Sequence, residues 1–402
     1  MKKVLFVMNT MGRGGAETAL IQLLKQFDPA EYQVSLYVLL GQGELIARVP
    51  ETVTLLNRRF DPTEIQSARG KRRLARHAAG KVLARGALAR SLPDLAHNYR
   101  LMRRQGAVRW DKLLWRSVAA GAPAPAETYD LAVAYLEGGA TYYVARRVKA
   151  RRKAAFVHVD CLQGAINREL DGDSYAAFDR VFCVSPEVLS SFEAAYPEHK
   201  EKARVLRNII DQEEIRRRAA EPGGFGDVPG RYKLLTVGRL EAQKALEVSV
   251  EAMALLRRRG VDACWMVAGE GQERKALEKQ IVALGLGDRF LLPGMVDNPY
   301  PCFSQADLYI HCSRYEGQSI AVREAMTLGC AVLVSDCSGN RQQVTHGVDG
   351  WMVPLEAEAI ADAIQALLAN PALRRRLGEA AAQKDQSARD TGQLFAMMEE
   401  EP

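Results

Sequence analysis

The chain has 402 residues, 48% of them apolar and 26% charged, with a formal net charge of +6. This length exceeds one ordinary core and predicts two domains of about 200 residues each, and the composition is that of a water-soluble globular chain. No apolar run approaches the ~20 residues of a membrane span. Seven cysteines without C-x-x-C spacing argue against a disulfide framework and a zinc site. A cytoplasmic protein is expected.

The N-terminal stretch MKKVLFVMNTMGRGGAE carries two lysines and a short apolar run. It runs into Gly-Arg-Gly-Gly-Ala-Glu without a convincing cleavage region, so it reads as a buried strand entering a tight turn. Gly14 and Gly15 let the backbone approach a ligand closely, and their N–H groups open the helix that follows. The pattern is not G-x-G-x-x-G, and no acidic residue closes the second strand at the spacing of a dinucleotide site. YQVSLYVLL, LAVAYL, KAAFVHV and RVFCVS are further strands, apolar throughout as in a parallel sheet covered on both faces. SPEVLSSFEAAY reads as a helix with Ser185 as N-cap and Pro186 at its first position.

The alternation begins again with KLLTVGR, CWMVAGEG, RFLLPGM, DLYIHCS and AVLVSD, each followed by a helical pattern. EPGGFGDVPGR, rich in Gly and Pro, reads as the linker between the two series. The expected fold is therefore α/β, with two doubly wound Rossmann-like domains facing across a cleft. The first spans residues 1–215, with a basic insertion at about 58–125 and a C-terminal helix at about 385–402 that packs back on it. The second spans residues 231–384.

Open parallel sheets bind ligands beyond the carboxyl ends of their strands, where the crossover direction reverses. KLLTVG ends at Gly238, Arg239 stands at its mouth, and Lys244 begins the next helix. Two cations and a helix N-terminus suit a phosphate or diphosphate. DLYIHCS delivers Glu316, after which Ser319 caps a helix carrying Glu324. The backbone N–H groups of Gln318, Ser319 and Ile320 are then candidate anion donors. Each carboxylate can accept from a pair of adjacent hydroxyls. A nucleotide-sugar presents two such diols with a diphosphate between them, which is the complementary order. A solvated helix face is the bland alternative for such a pair of glutamates.

VGRLEAQKALEVSVEAMALL, VAGEGQERKALE, ADLYIHCSRYEGQSIAVREAMTLG and DCSGNRQQVTHGVDGWMVP together resemble the C-terminal domain of family-4 glycosyltransferases, with their E-x7-E signature. FVHVD, DRVFCVSPEV and RVLRNIID are similar to that family's N-terminal half. The resemblance covers most of residues 1–57 and 130–355, and it implies the GT-B fold, a nucleotide-sugar donor (UDP- or GDP-linked) and retention of anomeric configuration. It puts Arg239 and Lys244 on the donor diphosphate, Glu324 on the ribose and Glu316 on the transferred sugar. The resemblance also implies that Gly14 and Gly15 lie near the phosphates, that Met295 and Val296 lie against the base, and that His158, at the end of KAAFVHV, hydrogen-bonds the sugar near the reaction centre. Gln318-Ser319-Ile320 stands where Phe-Gly-Leu is frequent, and Ala245 where Gly is frequent.

The same resemblance implies front-face displacement without a metal ion or other cofactor. The leaving phosphate then helps deprotonate the acceptor hydroxyl, and no second carboxylate is identified as a nucleophile. The acid pair in DGD, Asp171 and Asp173, reads as a surface turn rather than a metal-holding cluster. The acceptor is expected to be a bacterial glycan or lipid-linked glycan.

Residues 58–116 hold sixteen Lys or Arg against four Asp or Glu, a net +12, so the rest of the chain sums to −6. Basic residues alternate with Leu, Val and Trp at roughly helical spacing, as in an amphipathic surface helix. Three readings stay open: a solvated face packed on the first domain, an anionic membrane surface, or a phosphate-bearing acceptor. Trp110, Leu113, Leu114 and Trp115 are the candidate inserting residues. Two rival functions remain, a nucleotide-sugar epimerase of the same fold and a non-enzymatic polyanion-binding protein. Nucleic acid is not an expected partner, because only Trp110 and Trp115 could stack on bases there.

Overall fold

A computed structural model describes residues 1–104, 110–162, 168–384 and 391–399. Within it the chain forms two compact units, one built on residues 1–209 with the tail at 391–399, the other on 210–384. Residues 105–109 of the basic segment, the side chains of Trp110 and Leu113, and 385–390 and 400–402 of the expected C-terminal helix lie outside the described residues.

The first unit holds seven parallel strands: β1 (Lys2–Met8), β2 (Tyr32–Val38), β3 (Thr54–Leu55), β4 (Thr128–Ala134), β5 (Lys149–Val157), β6 (Arg180–Cys183) and β7 (Ala203–Val205). Their order is β3-β2-β1-β4-β5-β6-β7, so the crossover direction reverses between β1 and β4. Val4, Phe6 and Met8 of β1 face one apolar layer, while Leu5 and Val7 face the other. Burial on both faces is why these strands read as unbroken apolar runs. Pro186–Ala195 begins as expected, the Ser185 hydroxyl accepting the Val188 N–H at 3.2 Å. The short helix Gly392–Ala396 packs on this unit through Phe395, whose ring lies 4.9 Å from that of Phe27.

The basic segment folds as three helices, Ala68–Leu83, Ala87–Arg104 and Trp110–Gly121. Leu74, Ala78, Val82 and Trp115 pack against the first unit's core, so Trp115 is not available for insertion into a bilayer. Arg73 is held by Asp61 at 2.7 Å and by Thr63 at 3.0 Å, and Arg116 is buried against Asp173 at 3.0 Å. Lys71, Arg72 and Arg76 remain exposed, as does Leu83.

The second unit holds six parallel strands: β8 (Tyr232–Val237), β9 (Ala263–Ala268), β10 (Phe290–Gly294), β11 (Leu308–His311), β12 (Val332–Ser335) and β13 (Trp351–Val353). Their order is β10-β9-β8-β11-β12-β13, reversing between β8 and β11. The Gly/Pro stretch expected as a linker belongs to this unit. Phe225 is buried in its core, and Gly223, Gly224, Gly226 and Gly230 all take positive φ angles. Those glycines supply backbone conformations that L-residues resist, rather than slack between domains. No described helix is long and apolar enough to cross a membrane.

DGD is not a surface turn. Asp171 and Asp173 lie in the helix Arg168–Tyr175, and Asp171 is buried. It accepts a short hydrogen bond from the Tyr142 hydroxyl and another from Tyr196 at 3.5 Å. Asp173 is paired with Arg116 at 3.0 Å and Arg146 at 2.6 Å. Packing against these partners overrides the weak helix propensity of Asp and Gly.

Candidate active site

Of the residues singled out in the second unit, Gly238, Arg239, Lys244 and Glu316 follow β8 and β11, the strands at which the crossover direction reverses and a doubly wound sheet opens a crevice, whereas Met295 and Val296 follow the edge strand β10. Two devices stitch the strands there. The Thr236 hydroxyl donates to the Ile310 carbonyl at 2.6 Å, and the Trp265 indole donates to that hydroxyl at 3.0 Å. Gly238 turns the chain out of β8 against Gly269, where an added Cβ would stand 1.9 Å from the Gly238 carbonyl oxygen. The glycine in VAGEG is therefore a close-approach residue.

Lys244 closes the short turn Ala242–Lys244, and Ala245 follows in the left-handed region at φ 45, ψ 38. Ala245 is the only non-glycine described residue with positive φ. The turn is tied to the loop after β11 by the Arg314 N–H to the Gln243 carbonyl (2.9 Å) and by Gln243 Nε2 to the Tyr315 carbonyl (2.8 Å). This fixes Lys244 beside Glu316, Nζ to Oε1 at 2.5 Å. The Ser313 hydroxyl (2.6 Å) and His311 Nε2 (3.0 Å) converge on the same oxygen. His311 Nδ1 lies 3.0 Å from the Tyr309 hydroxyl, which donates to it when Nε2 carries the proton.

The electrostatics follow from burial and charge. Burial alone would raise the Glu316 carboxyl, but the Lys244 charge and the His311 hydrogen bond override it and hold the group well below the usual range. Burial pushes His311 down, with Lys244 adding to the effect, so the ring stays neutral. Glu316 is thus an ionised carboxylate with one oxygen triply held, while no described group donates to Oε2. Arg239 is exposed and makes no ion pair among the described residues. An ammonium and a pre-oriented carboxylate therefore stand together at the strand ends, with the exposed Arg239 two residues past the end of β8.

Ser319 caps the helix Ile320–Thr327, its hydroxyl accepting the Val322 N–H at 3.4 Å. Its own N–H is taken by Gln343 Oε1 at 3.0 Å, so the expectation of Ser319 as a backbone anion donor does not hold. Gln343 reaches it because Gly339 lets the helix Ser338–Gln343 come close; a Cβ there would stand 2.6 Å from the Glu316 carbonyl. Among the described residues the amides of Gln318 and Ile320 have no such partner. Glu324 is buried and accepts from the Tyr300 hydroxyl at 2.9 Å, and the Arg218 guanidinium lies over the Tyr300 ring at 4.9 Å. Met295 and Val296 follow β10 in irregular backbone, half-buried. Sequence reasoning missed His311, Ser313, Tyr300 and Gln343. The strand-end rule could have flagged His311, whereas the others carry no signal of their own.

Gly14, Gly15 and His158 belong to the first unit. Gly14 precedes the helix Gly15–Leu24 in extended backbone, and its carbonyl accepts from Thr18. His158 follows β5 directly, and both its ring nitrogens are buried without a hydrogen-bond partner among the described residues. Burial pushes its pKa down to about 3.

Fold and site together define the class: the chain resembles the GT-B glycosyltransferases, with two doubly wound Rossmann-like domains. Residues 204–384 match the family model described as "Glycosyl transferases group 1". The alpha-D-kanosaminyltransferase of Streptomyces kanamyceticus is 37% identical over 175 residues, 43% of this chain and 45% of that protein. The poly(glycerol-phosphate) alpha-glucosyltransferase of Bacillus subtilis is 27% identical over 205 residues, 50% of this chain and 29% of that protein. The chain thus spans less than half the length of these relatives. Anabaena HepE, solved in complex with UDP-glucose, superposes with a TM-score of 0.66 at 17% identity, covering 99% of this chain and 98% of that one.

Proposed function

We propose that the chain is a retaining, metal-independent glycosyltransferase. It moves a sugar from a UDP- or GDP-linked donor to an acceptor hydroxyl in bacterial surface-polysaccharide or lipid-linked glycan synthesis. The observation that carries this reading is the Lys244–Glu316 pair at the β8/β11 reversal, with Arg239 exposed just past the end of β8. Arg239 and Lys244 neutralise the donor diphosphate, and Glu316 Oε2 accepts from hydroxyls of the transferred sugar. Glu324 takes the ribose, Met295 and Val296 the base, and the Gln318 and Ile320 amides add donors. Gly14 and Gly15 approach the phosphates, and His158 hydrogen-bonds the sugar.

In the chemical step the C1–oxygen bond to the diphosphate breaks and a C1–oxygen bond to the acceptor forms on the same face. A phosphate oxygen takes the acceptor proton. Charge on the leaving diphosphate grows as the bond breaks, and preorganised cations stabilise it most at that point. Asp171 and Asp173 are already held by Tyr142, Arg116 and Arg146, which supports a diphosphate neutralised by cations alone. Both relatives are named for alpha linkages, as a retaining reaction on an alpha-linked donor would give.

The test is a panel of nucleotide-sugars incubated with the protein in EDTA, with and without a glycan acceptor. Slow release of nucleoside diphosphate without acceptor is expected. Interconversion of the free nucleotide-sugar to its epimer, or turnover that requires magnesium or manganese, would overturn the reading.

A peripheral site on the inner face of the plasma membrane is also proposed for the basic segment. Lys71, Arg72, Arg76 and the exposed Leu83 support it.

A further inference from the structure

The first unit has its own reversal, between β1 and β4, and Asn9 and Glu137 stand just past those strand ends. Glu137 Oε1 accepts the backbone N–H of His158 through a short hydrogen bond and that of Val159 at 3.2 Å. Asn9 clasps the Glu137 turn from the other side. Its Nδ2 donates to the Glu137 carbonyl at 3.0 Å, and its Oδ1 accepts the Ala140 N–H at 2.8 Å. Gly138 turns the chain at φ 78. Gly139 has no room for a side chain, since a Cβ would stand 2.5 Å from the Trp115 ring and 2.6 Å from Asn9 Oδ1. The ends of three adjacent strands, β1, β4 and β5, are thereby tied together by two side chains.

Among the described residues no hydrogen bond of its own aims the His158 imidazole. It lies beside the Tyr135 and Phe156 rings, with centroids 5.1 and 6.1 Å away. Aromatic walls limit where the ring can go, but they do not set the backbone it hangs from. That backbone is set by Glu137.

We propose that Glu137 is a positioning residue: through Oε1 it fixes the His158–Val159 backbone and so aims the His158 ring at the substrate. This rests on the transferase reading above. An oxygen that accepts two amide N–H groups does so whether or not the carboxyl is ionised, and a glutamine oxygen can take the same place. The role therefore belongs to the acceptor oxygen and not to the charge, which separates Glu137 from a base or nucleophile.

The experiment compares Glu137→Gln, Glu137→Ala and Asn9→Ala by donor kinetics and by NMR of the histidine rings. The His158 signals are assigned with His158→Gln. A displaced group far from ideal geometry can cost about 10²-fold in rate, so Glu137→Ala is expected to lower kcat on that order while leaving the donor KM nearly unchanged. Glu137→Gln restores kcat. The His158 signals move in Glu137→Ala and in Asn9→Ala, and stay in place in Glu137→Gln. Equal loss of kcat in Glu137→Gln and Glu137→Ala overturns the proposal, because the charge then acts. So do unmoved His158 signals in Glu137→Ala, or in Asn9→Ala where Glu137→Ala fails to fold. If the wild type turns over no nucleotide-sugar, the transferase reading fails while the NMR arm still decides the positioning.

Discussion

Replacing Lys244 with Met removes the cation from a nearly dry ion pair. The Glu316 side chain is 7% exposed and that of Lys244 15%, with 2.5 Å between Nζ and Oε1. Breaking a buried pair by deleting one partner typically costs ~3–5 kcal/mol. His311 and Ser313 still donate to Glu316 in the variant, so about 3 kcal/mol is expected. The sign of the pH dependence changes as well. In the wild type the Glu316 carboxyl is held low, so its stabilising contribution is complete above the unfolded value of ~4.3 and is lost as pH falls below it. In Lys244→Met, burial becomes the controlling influence and the folded carboxyl titrates above its unfolded value. Stability then rises as pH is lowered from 7 toward 5, where this group leaves the wild type flat. Urea unfolding of wild type, Lys244→Met, Glu316→Gln and the double variant at pH 5, 6 and 7 measures both effects. The double variant is expected to recover much of the loss, because no unpaired charge remains buried. A single variant within 1 kcal/mol of wild type, with an unchanged pH profile, would refute the reasoning.

Glu324→Ala is expected to weaken nucleoside diphosphate and nucleotide-sugar alike, by ~1.5–3 kcal/mol per lost charge-assisted contact. Glu316→Ala should spare the free nucleotide and damage turnover; calorimetry beside kinetics separates them, and equal effects on nucleoside diphosphate would sink the division of roles. The left-handed Ala245 costs about 1–2 kcal/mol, but Ala245→Gly gives back ~0.4–1 kcal/mol of chain entropy and ~0.8 kcal/mol of buried methyl. Its unfolding free energy should therefore lie within about 1 kcal/mol of wild type, while Ala245→Val should fall further, since a branched side chain resists this conformation. Liposome sedimentation should show salt-sensitive binding to anionic lipid, with Lys71, Arg72 and Arg76 each worth roughly 1 kcal/mol. Binding unchanged when all three become Glu would return the segment to a solvated face.

The central strands of both sheets were legible because burial on two faces leaves an uninterrupted apolar run. Thr54–Leu55, Ala203–Val205 and Trp351–Val353 were not, and each is a sheet edge of two or three residues, too short to carry a pattern. The glycines at 223–230 misled in the other direction, since turn-forming and linker compositions coincide while only one of them buries a Phe225. Strand-end logic made Lys244 and Glu316 separate candidates, but their ion pair was not legible. Nor was the network behind Glu316: the place of His311 at a strand end marks it as a site candidate without naming its hydrogen-bond partners, and Ser313 carries no signal of its own. Glu137 obeys the same strand-end rule as Glu316, standing three residues past the end of β4.

Trp115 has a bearing on how this protein can diversify. The basic segment adds +12 to the chain and has the length of a detachable cassette, yet Trp115 fills the space that Gly139 vacates beside the Glu137 turn. Gly121 is similarly pressed on the Lys81 carbonyl, where a Cβ would stand 1.8 Å away. Grafting a different segment from a relative would unpack the turn at the β1/β4 reversal along with the surface. The outward row of Lys71, Arg72, Arg76 and Leu83 carries no such constraint. Variation in what this unit touches is free to accumulate there residue by residue, while the inner face of the same helices is inherited as core.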